Sequence, residues 1–419
     1  MYNKAVSLVD SAHHQQPNHL AVHFLRSWKR ERPPAFCLLP TAFCFPRRPV
    51  MTEIDEKVER IRQYLESENL AAVLLTSRRN FAWATNGATN HVRLGSEIGV
   101  ASLLILKNGK RYIVAGNNEM PRMLEEEVKD LGYQPAQFNW YEAAQKQQLI
   151  EQLVSELGAE QMIGSDIPLP NTKLVEDSFA RLRYCLTDGE IARYRQVGLG
   201  CAQAVEEVCR RLQPGMSELE IEGLTSEALL RRNLRPTVIL VGADDRIYKY
   251  RHPVPTERPL ERYCMIAINA QRWGLIGSLT RFVHFGPAPE DLVNRHGVVC
   301  RINAQFIAHT KQGTKASDFF VGIKDWYAQA GYSQEWCYHH QGGAIGYRER
   351  EWIIAPDLNE TINDRQAFAW NPTIAGAKDE DTILVLGDSV ETITQTSEWP
   401  TVEVTVDGQT FQRPAILVR

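Results

Sequence analysis

No uncharged apolar run in the 419-residue chain approaches the ~20 residues that cross a bilayer as a helix, which excludes a membrane-spanning helical class. Charge of one sign is not in excess either. With 47 Lys+Arg against 51 Asp+Glu the formal net charge is −4, so nothing global points to nucleic acid or an anionic membrane as a partner. The eight cysteines form no Cys-x2-Cys pair and follow no secretory signal, so reduced thiols and a cytoplasmic setting are expected. Short-period repeats and low-complexity tracts are absent, which removes fibrous classes. What is present is ordinary for an enzyme: 43 % hydrophobic and 23 % charged residues, over a length that allows two or three domains with sizeable cores.

Charge is unevenly spread. Residues 1–50 carry seven basic residues against two acidic ones, a net of +5, which leaves −9 for residues 51–419. This leader holds four of the eleven histidines, Cys37 and Cys44 without finger spacing, and Pro33-Pro34, and it has no sustained periodicity. It is poor in Ser and lacks an amphipathic Arg face, which counts against a transit peptide. The expectation is a disordered basic extension, or a start placed upstream of Met51.

From Met51 the pattern reads helix (Val58, Ile61, Leu65), buried strand (Ala71–Thr76), loop, then strands Val100–Leu106 and Arg111–Ala115 joined by the turn signal Asn108-Gly109. A helix at 142–157, a strand near Met162-Ile163 and a helix near 171–182 complete a first α/β domain, 51–185. Thr187-x-x-Glu190 has capping-box spacing and opens a long helix, stopped by Pro214-Gly215; Ser217-x-x-Glu220 caps the next. Strands near 236–241, 263–269 and 274–285, a helix near 315–330, and strands near 344–353, 367–374 and 381–392 fill a second domain, 186–419.

His252-Pro-Val-Pro-Thr, the run Met265–Arg281, His339-His-Gln-Gly-Gly-Ala-Ile-Gly346, Trp370-Asn-Pro-Thr and Asp379-Glu-Asp-Thr382 together resemble, in order and spacing, the creatinase/aminopeptidase P family of M24 peptidases. The resemblance implies an α/β protein: a pita-bread C-terminal domain behind a smaller creatinase-type α/β N-terminal domain. It also implies a homodimer in which the small domain of one subunit closes the other's cleft, with Arg78-Arg79, Phe81 and Trp83 near that mouth. In the peptidase members two Asp, a His and two Glu hold two dications that activate a bridging water. Carried over from Leu279-Thr-Arg281, those places fall on Ala267, Ser278, Gly343, Asn371 and Glu380. Four of the five carry no ligating carboxylate or imidazole, so the expected cofactor is none, a degenerate dinuclear site with Glu380 retained.

What remains matches the metal-free branch. His252 stands where creatinase keeps its general base and acid, His339 matches another creatinase histidine, and Arg350 matches the arginine that binds the substrate carboxylate. A neutral imidazole can take a proton from water and return it to a departing nitrogen, and a guanidinium suits a carboxylate. Thr280 and Asn371 replace the glutamates that hold creatine's guanidinium, so a neutral amide, ureido or cyclic-amide group beside a carboxylate fits better. Catalytic His252 and His339, with Arg350, Asn371, Ser278, Thr280, His340 and Glu380 around a small-molecule substrate, are therefore expected to hydrolyse a C–N bond. Two alternatives stay open: an Xaa-Pro metallopeptidase with one metal at Glu380 and His339 or His340, and a catalytically silent binding module. The bland alternatives are packed or surface histidines at 339–340, a solvated charged face at Arg348–Glu351, a hairpin turn at Asp379–Asp381, and core roles for Trp273, Tyr347 and Trp370.

Overall fold

The computed structural model describes residues 52–158 and 162–419. The expectations for residues 1–50, with Cys37, Cys44 and the leader histidines, lie outside the described residues.

Thr52 caps the helix Glu53–Ser67 by accepting from the Asp55 amide. The strand Ala72–Ser77 is buried on both faces and sits inside a six-stranded sheet. Strands Ile98–Leu106 and Arg111–Gly116 pair with it antiparallel in series, and the short strand Ile163–Ser165 pairs with it in parallel on the other side. Alternation decides which helix covers which face. Val73 and Leu75 pack with Ile61 and Leu65 of the first helix, while Ala72 and Leu74 pack with Ile150 and Val154 of the helix Ala143–Ser155.

The capping boxes at Thr187/Glu190 and Ser217/Glu220 both form, opening helices Asp188–Arg211 and Glu218–Leu230. A four-stranded sheet (Leu417–Val418, Leu275–His284, Tyr263–Arg272, Arg235–Ala243) and a five-stranded sheet (Trp352–Ile353, Gly342–Ile345, Ala367–Trp370, Asp381–Leu386, Ser389–Thr392) follow. They are stitched together where Thr280 N–H donates to the Glu380 carbonyl (3.1 Å) and Ser278 N–H to Thr382 Oγ1 (2.8 Å). Helices Glu290–His309 and Ala316–Gln329 pack with the second sheet through Phe306, Phe319 and Trp370.

The hairpin Tyr263–His284 turns on Trp273-Gly274, both at positive φ, and its tip is driven against the first α/β unit. A Cβ on Gly274 would lie 2.6 Å from the Ala82 Cβ, and one on Gly87 would lie 2.4 Å from the Trp273 Cβ. Only glycine permits this approach, and only glycine takes the φ of +105° at Gly87 without strain.

Several expectations need correction. The segment 171–182 is not one helix: Thr172–Leu174 is an edge strand, followed by one helical turn at Glu176–Phe179 and a 3-10 turn at Ala180–Arg183. The segment 344–353 is two short strands separated by the turn that carries Arg350, and 367–374 and 381–392 are each split in two. The segment after the first strand is a helix, Arg78–Ala84, capped by Ser77. The Asn108-Gly109 turn, by contrast, forms as its signal says, closed by the Gly109 N–H bond to the Leu106 carbonyl at 2.8 Å with Gly109 at positive φ. The helix Glu290–His309 was not anticipated.

Candidate active site

Three histidines converge where the two sheets meet. His252 follows the helix Asp245–Lys249 on an exposed segment, whereas His339 is buried and His340 half-buried at the entry to the strand Gly342–Ile345. Their ligand-capable nitrogens lie within 4.8 Å of one another. The Nε2 atoms of His252 and His339 are 3.0 Å apart, so one carries a proton and the other accepts it.

The surrounding bonds decide which. Thr373 donates its hydroxyl to the Asn371 carbonyl (2.9 Å), which leaves Thr373 Oγ1 to accept from His339 Nδ1 at 3.3 Å. Protonated at Nδ1, neutral His339 presents a lone pair at Nε2, and His252 must donate Nε2–H to it. This tautomer, assigned from the hydrogen-bond network, leaves Nδ1 of His252 as a free lone pair on the most exposed ring of the three.

Charge around the rings is arranged unusually. Glu380 is buried; its Oε2 takes Lys378 Nζ at 2.7 Å and Thr280 Oγ1 at 2.8 Å, and its Oε1 faces Arg350 Nη2 at 3.4 Å. Burial pushes the Glu380 carboxyl up, but Lys378 and Arg350 outweigh it and hold the group below its ordinary range. One carboxylate thus lies between two cations. Burial, then Lys378, lower the pKa of His252 and, far more, that of His339. Burial, Arg350 and Lys378 bring His340 down to about 4. All three imidazoles are neutral at pH 7. Asp379 and Asp381 point the other way: Arg413 clamps both at 2.7–2.8 Å, and Arg281 adds a bond to Asp381 at 3.0 Å.

The other expected residues fall as follows. Ser278 is buried and donates to Asn269 Oδ1 at 2.5 Å across the hairpin. Ala267, on the same face, pairs with Thr280 and packs with Met265 and Phe282. Gly343 runs so close to the neighbouring strand that a Cβ would lie 2.1 Å from the Trp352 carbonyl oxygen. Among buried side-chain atoms without a partner in the described residues are Arg350 Nε, Asn371 Oδ1 and His340 Nδ1, so three of the residues singled out above carry unspent hydrogen-bonding capacity.

Arg348–Glu351 is not a uniformly solvated face: Arg348 is exposed, but the Arg350 side chain is only 12 % exposed and Glu351 forms a buried pair with Arg183 at 2.8 Å. Asp379–Asp381 is not an exposed turn but a charged buried segment. Trp370 is core, Tyr347 is buried with its hydroxyl on Glu190, and Trp273 is half-buried at the hairpin tip. Phe81 and Trp83 are fully buried. Lys378 went unrecognised in the sequence. Its signal was Lys378-Asp-Glu-Asp, four charges at the start of a strand otherwise apolar.

Residues 192–387 match the model of metallopeptidase family M24. The chain is 22 % identical over 365 residues to an uncharacterized peptidase of Staphylococcus epidermidis, spanning 81 % of this chain and 99 % of that protein. Among solved structures it is similar to an Xaa-Pro dipeptidase from Bacillus anthracis (TM-score 0.69, 19 % identity, 87 % of this chain and 100 % of that one). It is likewise similar to an X-Pro aminopeptidase from Thermotoga maritima (TM-score 0.68, 17 % identity, 86 % and 99 %). At these identities the structural likeness speaks for the fold: an α/β N-terminal domain and a pita-bread C-terminal domain.

Proposed function

We propose that this chain, which over residues 192–387 belongs to metallopeptidase family M24, hydrolyses a C–N bond in a small carboxylate-bearing substrate with His252 as the proton-transfer group. The observation that carries the reading is the ordered pair His252–His339, which leaves His252 Nδ1 free beside a cationic wall. In the step this supports, Nδ1 of His252 takes a proton from water as the water oxygen adds to the substrate carbonyl carbon. The same proton then passes to the departing nitrogen as the C–N bond breaks. Arg350, with Nε unspent, anchors the carboxylate, and Asn371 Oδ1 accepts from the amide or ureido N–H.

The peptidases named above favour a second reading, in which the bond is an Xaa-Pro peptide bond and one dication, held by His339 or His340 with Glu380 or by the three imidazoles, would activate the water. The donors present do not fit the pair of dications that the family resemblance implies. The one carboxylate available, Glu380, already has its oxygens on Lys378, Thr280 and Arg350, and the backbone at Gly343 leaves no room for a ligating side chain. Both readings share a substrate of dipeptide size with a free carboxylate.

The test is hydrolysis of a panel of Xaa-Pro dipeptides, N-acyl amino acids and ureido acids in the presence of chelator, with elemental analysis of the same preparation. Activity that survives chelation and disappears in His252→Ala supports the first reading. Activity that appears only on adding Mn, Co or Zn establishes the second and removes the first.

A further inference from the structure

A groove of about 670 Å³ runs between the first α/β unit and the hairpin tip, a volume ordinary for a small-molecule site. It is separate from the three histidines, and its lining is basic. Arg78 and Arg79 enter from one side, Arg235, Arg272 and Arg348 from the other, against Glu97 and Glu349. Glu97 is already taken by Arg79 at 2.6 Å, and Arg79 also holds Glu176 at 2.9 Å. Among the described residues no carboxylate lies within ion-pair distance of Arg78, Arg235, Arg272 or Arg348. Arg183 and Arg413, which are more deeply buried than these, are matched by carboxylates at 2.7–3.1 Å.

These guanidiniums are held in place without being neutralised. Arg78 Nη1 donates to the Leu94 and Ser96 carbonyls at 2.9 and 3.0 Å, which orients the fork and leaves its charge. Arg272 lies 3.9 Å over the Trp273 ring, and its Nε is buried without a partner. Arg235 sits at the start of its strand, paired in register with Gln271, so its position is fixed by the sheet. Burial and then Arg235 lower the proton affinity of Arg78, and burial, Arg78 and Arg235 lower that of His91, which shares the groove. Glu349 is the one groove carboxylate not already in an ion pair, and it offsets only one of these four charges, so like charges face one another unless a further anion sits among them.

We infer that this groove is a binding site for a small polyanion, a molecule carrying two or more phosphate or carboxylate charges, recognised by Arg78, Arg235, Arg272 and Arg348. Planar forks fixed by carbonyls and by an aromatic face suit bidentate pairing with oxyanions. A monoanion would satisfy one fork and leave the rest facing each other, so affinity rises with ligand charge.

The experiment is calorimetric titration of the full chain with pyrophosphate, citrate and acetate, at about 20 mM and about 200 mM salt. Saturable binding of pyrophosphate or citrate that weakens with salt, with acetate at least ~10-fold weaker, is expected. Pyrophosphate alone marks a phosphate ligand and citrate alone a polycarboxylate. Arg235→Gln and the exposed Arg348→Gln should each weaken the better anion by ~10-fold or more, whereas Lys311→Gln, an exposed lysine outside the groove, should not. Thermal midpoints of the ligand-free variants check that folding is intact. Absence of saturable binding by either polyanion, or equal weakening in the Lys311 control, overturns the assignment.

Discussion

Replacing His339 with phenylalanine isolates the part of the site that the hydrogen-bond network specifies most fully. The side chain is buried, and phenylalanine keeps a ring in its place. Thr373 retains its bond to the Asn371 carbonyl at 2.9 Å, and the exposed His252 finds water, so no buried donor is orphaned and the fold should persist. What changes is His252. Its 3.0 Å contact with His339 is a neutral hydrogen bond while His252 is uncharged, contributing roughly 1 kcal/mol, and becomes charge-assisted once His252 is protonated, contributing roughly 1.5–3 kcal/mol. The difference, about 0.5–2 kcal/mol, centres on about one pH unit of proton affinity. Activity requires neutral His252, whose pKa already lies below the ordinary 6.5, so the acidic limb of kcat/KM reports it. In His339→Phe that limb should move about one unit further down. At pH 7 kcat should fall ~10- to 100-fold, because the proton is no longer confined to Nε2, with KM little changed. The assay is a pH–rate profile on the best substrate of the panel, parent and variant side by side. A variant whose acidic limb and kcat superimpose on the parent's would refute the proton assignment at both rings.

Arg350→Lys should raise KM for a carboxylate substrate ~10-fold or more while leaving KM for the corresponding carboxamide unchanged, read from steady-state kinetics; equal effects on both would remove Arg350 as the anchor. His340, brought down to about 4 in the folded protein against an ordinary 6.5, binds its proton more readily when unfolded. Stability from this group is therefore present above about pH 6.5 and is lost as pH falls toward 4, about 2 kcal/mol between pH 7 and pH 5. Urea unfolding at the two pH values should show His340→Phe losing correspondingly less than the parent. Gly87→Ala brings a Cβ to 2.4 Å from Trp273 at a φ of +105° and should lower stability by roughly 2 kcal/mol or more. A thermal midpoint equal to the parent's would show that the interface between the hairpin tip and the first unit yields freely.

The parts of the fold written in local pattern were legible. Thr187/Glu190 and Ser217/Glu220 formed the boxes their spacing demands, and the alternating strand residues at 72–75 divided between two helices as a period of two requires. The helix Glu290–His309 escaped because its buried face includes His296 and Asn303, which break the apolar stripe, although Pro289 and the acids Glu290 and Asp291 mark its start. Thr172–Leu174 was misassigned because a three-residue edge strand has no periodicity of its own. At the site, His252, His339, Arg350 and Glu380 were found through the family pattern and do converge. Lys378 was not, although it stands two residues before Glu380, where an extended backbone puts both side chains on one face and the ammonium 2.7 Å from the carboxylate.

Lys378 also changes what the site is expected to prefer. Lys378 and Arg350 outnumber Glu380, so the wall beside the imidazoles keeps an excess of one positive charge, and that excess contributes to the low proton affinity of His252. A base depressed in this way is available at neutral pH but is a weak proton acceptor. Binding a substrate carboxylate on Arg350 cancels the excess. At a separation of ~10 Å and an effective dielectric constant of ~20, one negative charge is worth about 1.7 kcal/mol to the imidazolium, a little over one pH unit. His252 is thus a better base with substrate bound than without it. The acidic limb of kcat, which reports the complex, should then lie about one unit above the limb of kcat/KM, which reports the free protein. A carboxamide substrate, which brings no charge, should show the two limbs together, and a gap of the same size for both substrates would mean that the cationic wall does not govern the base.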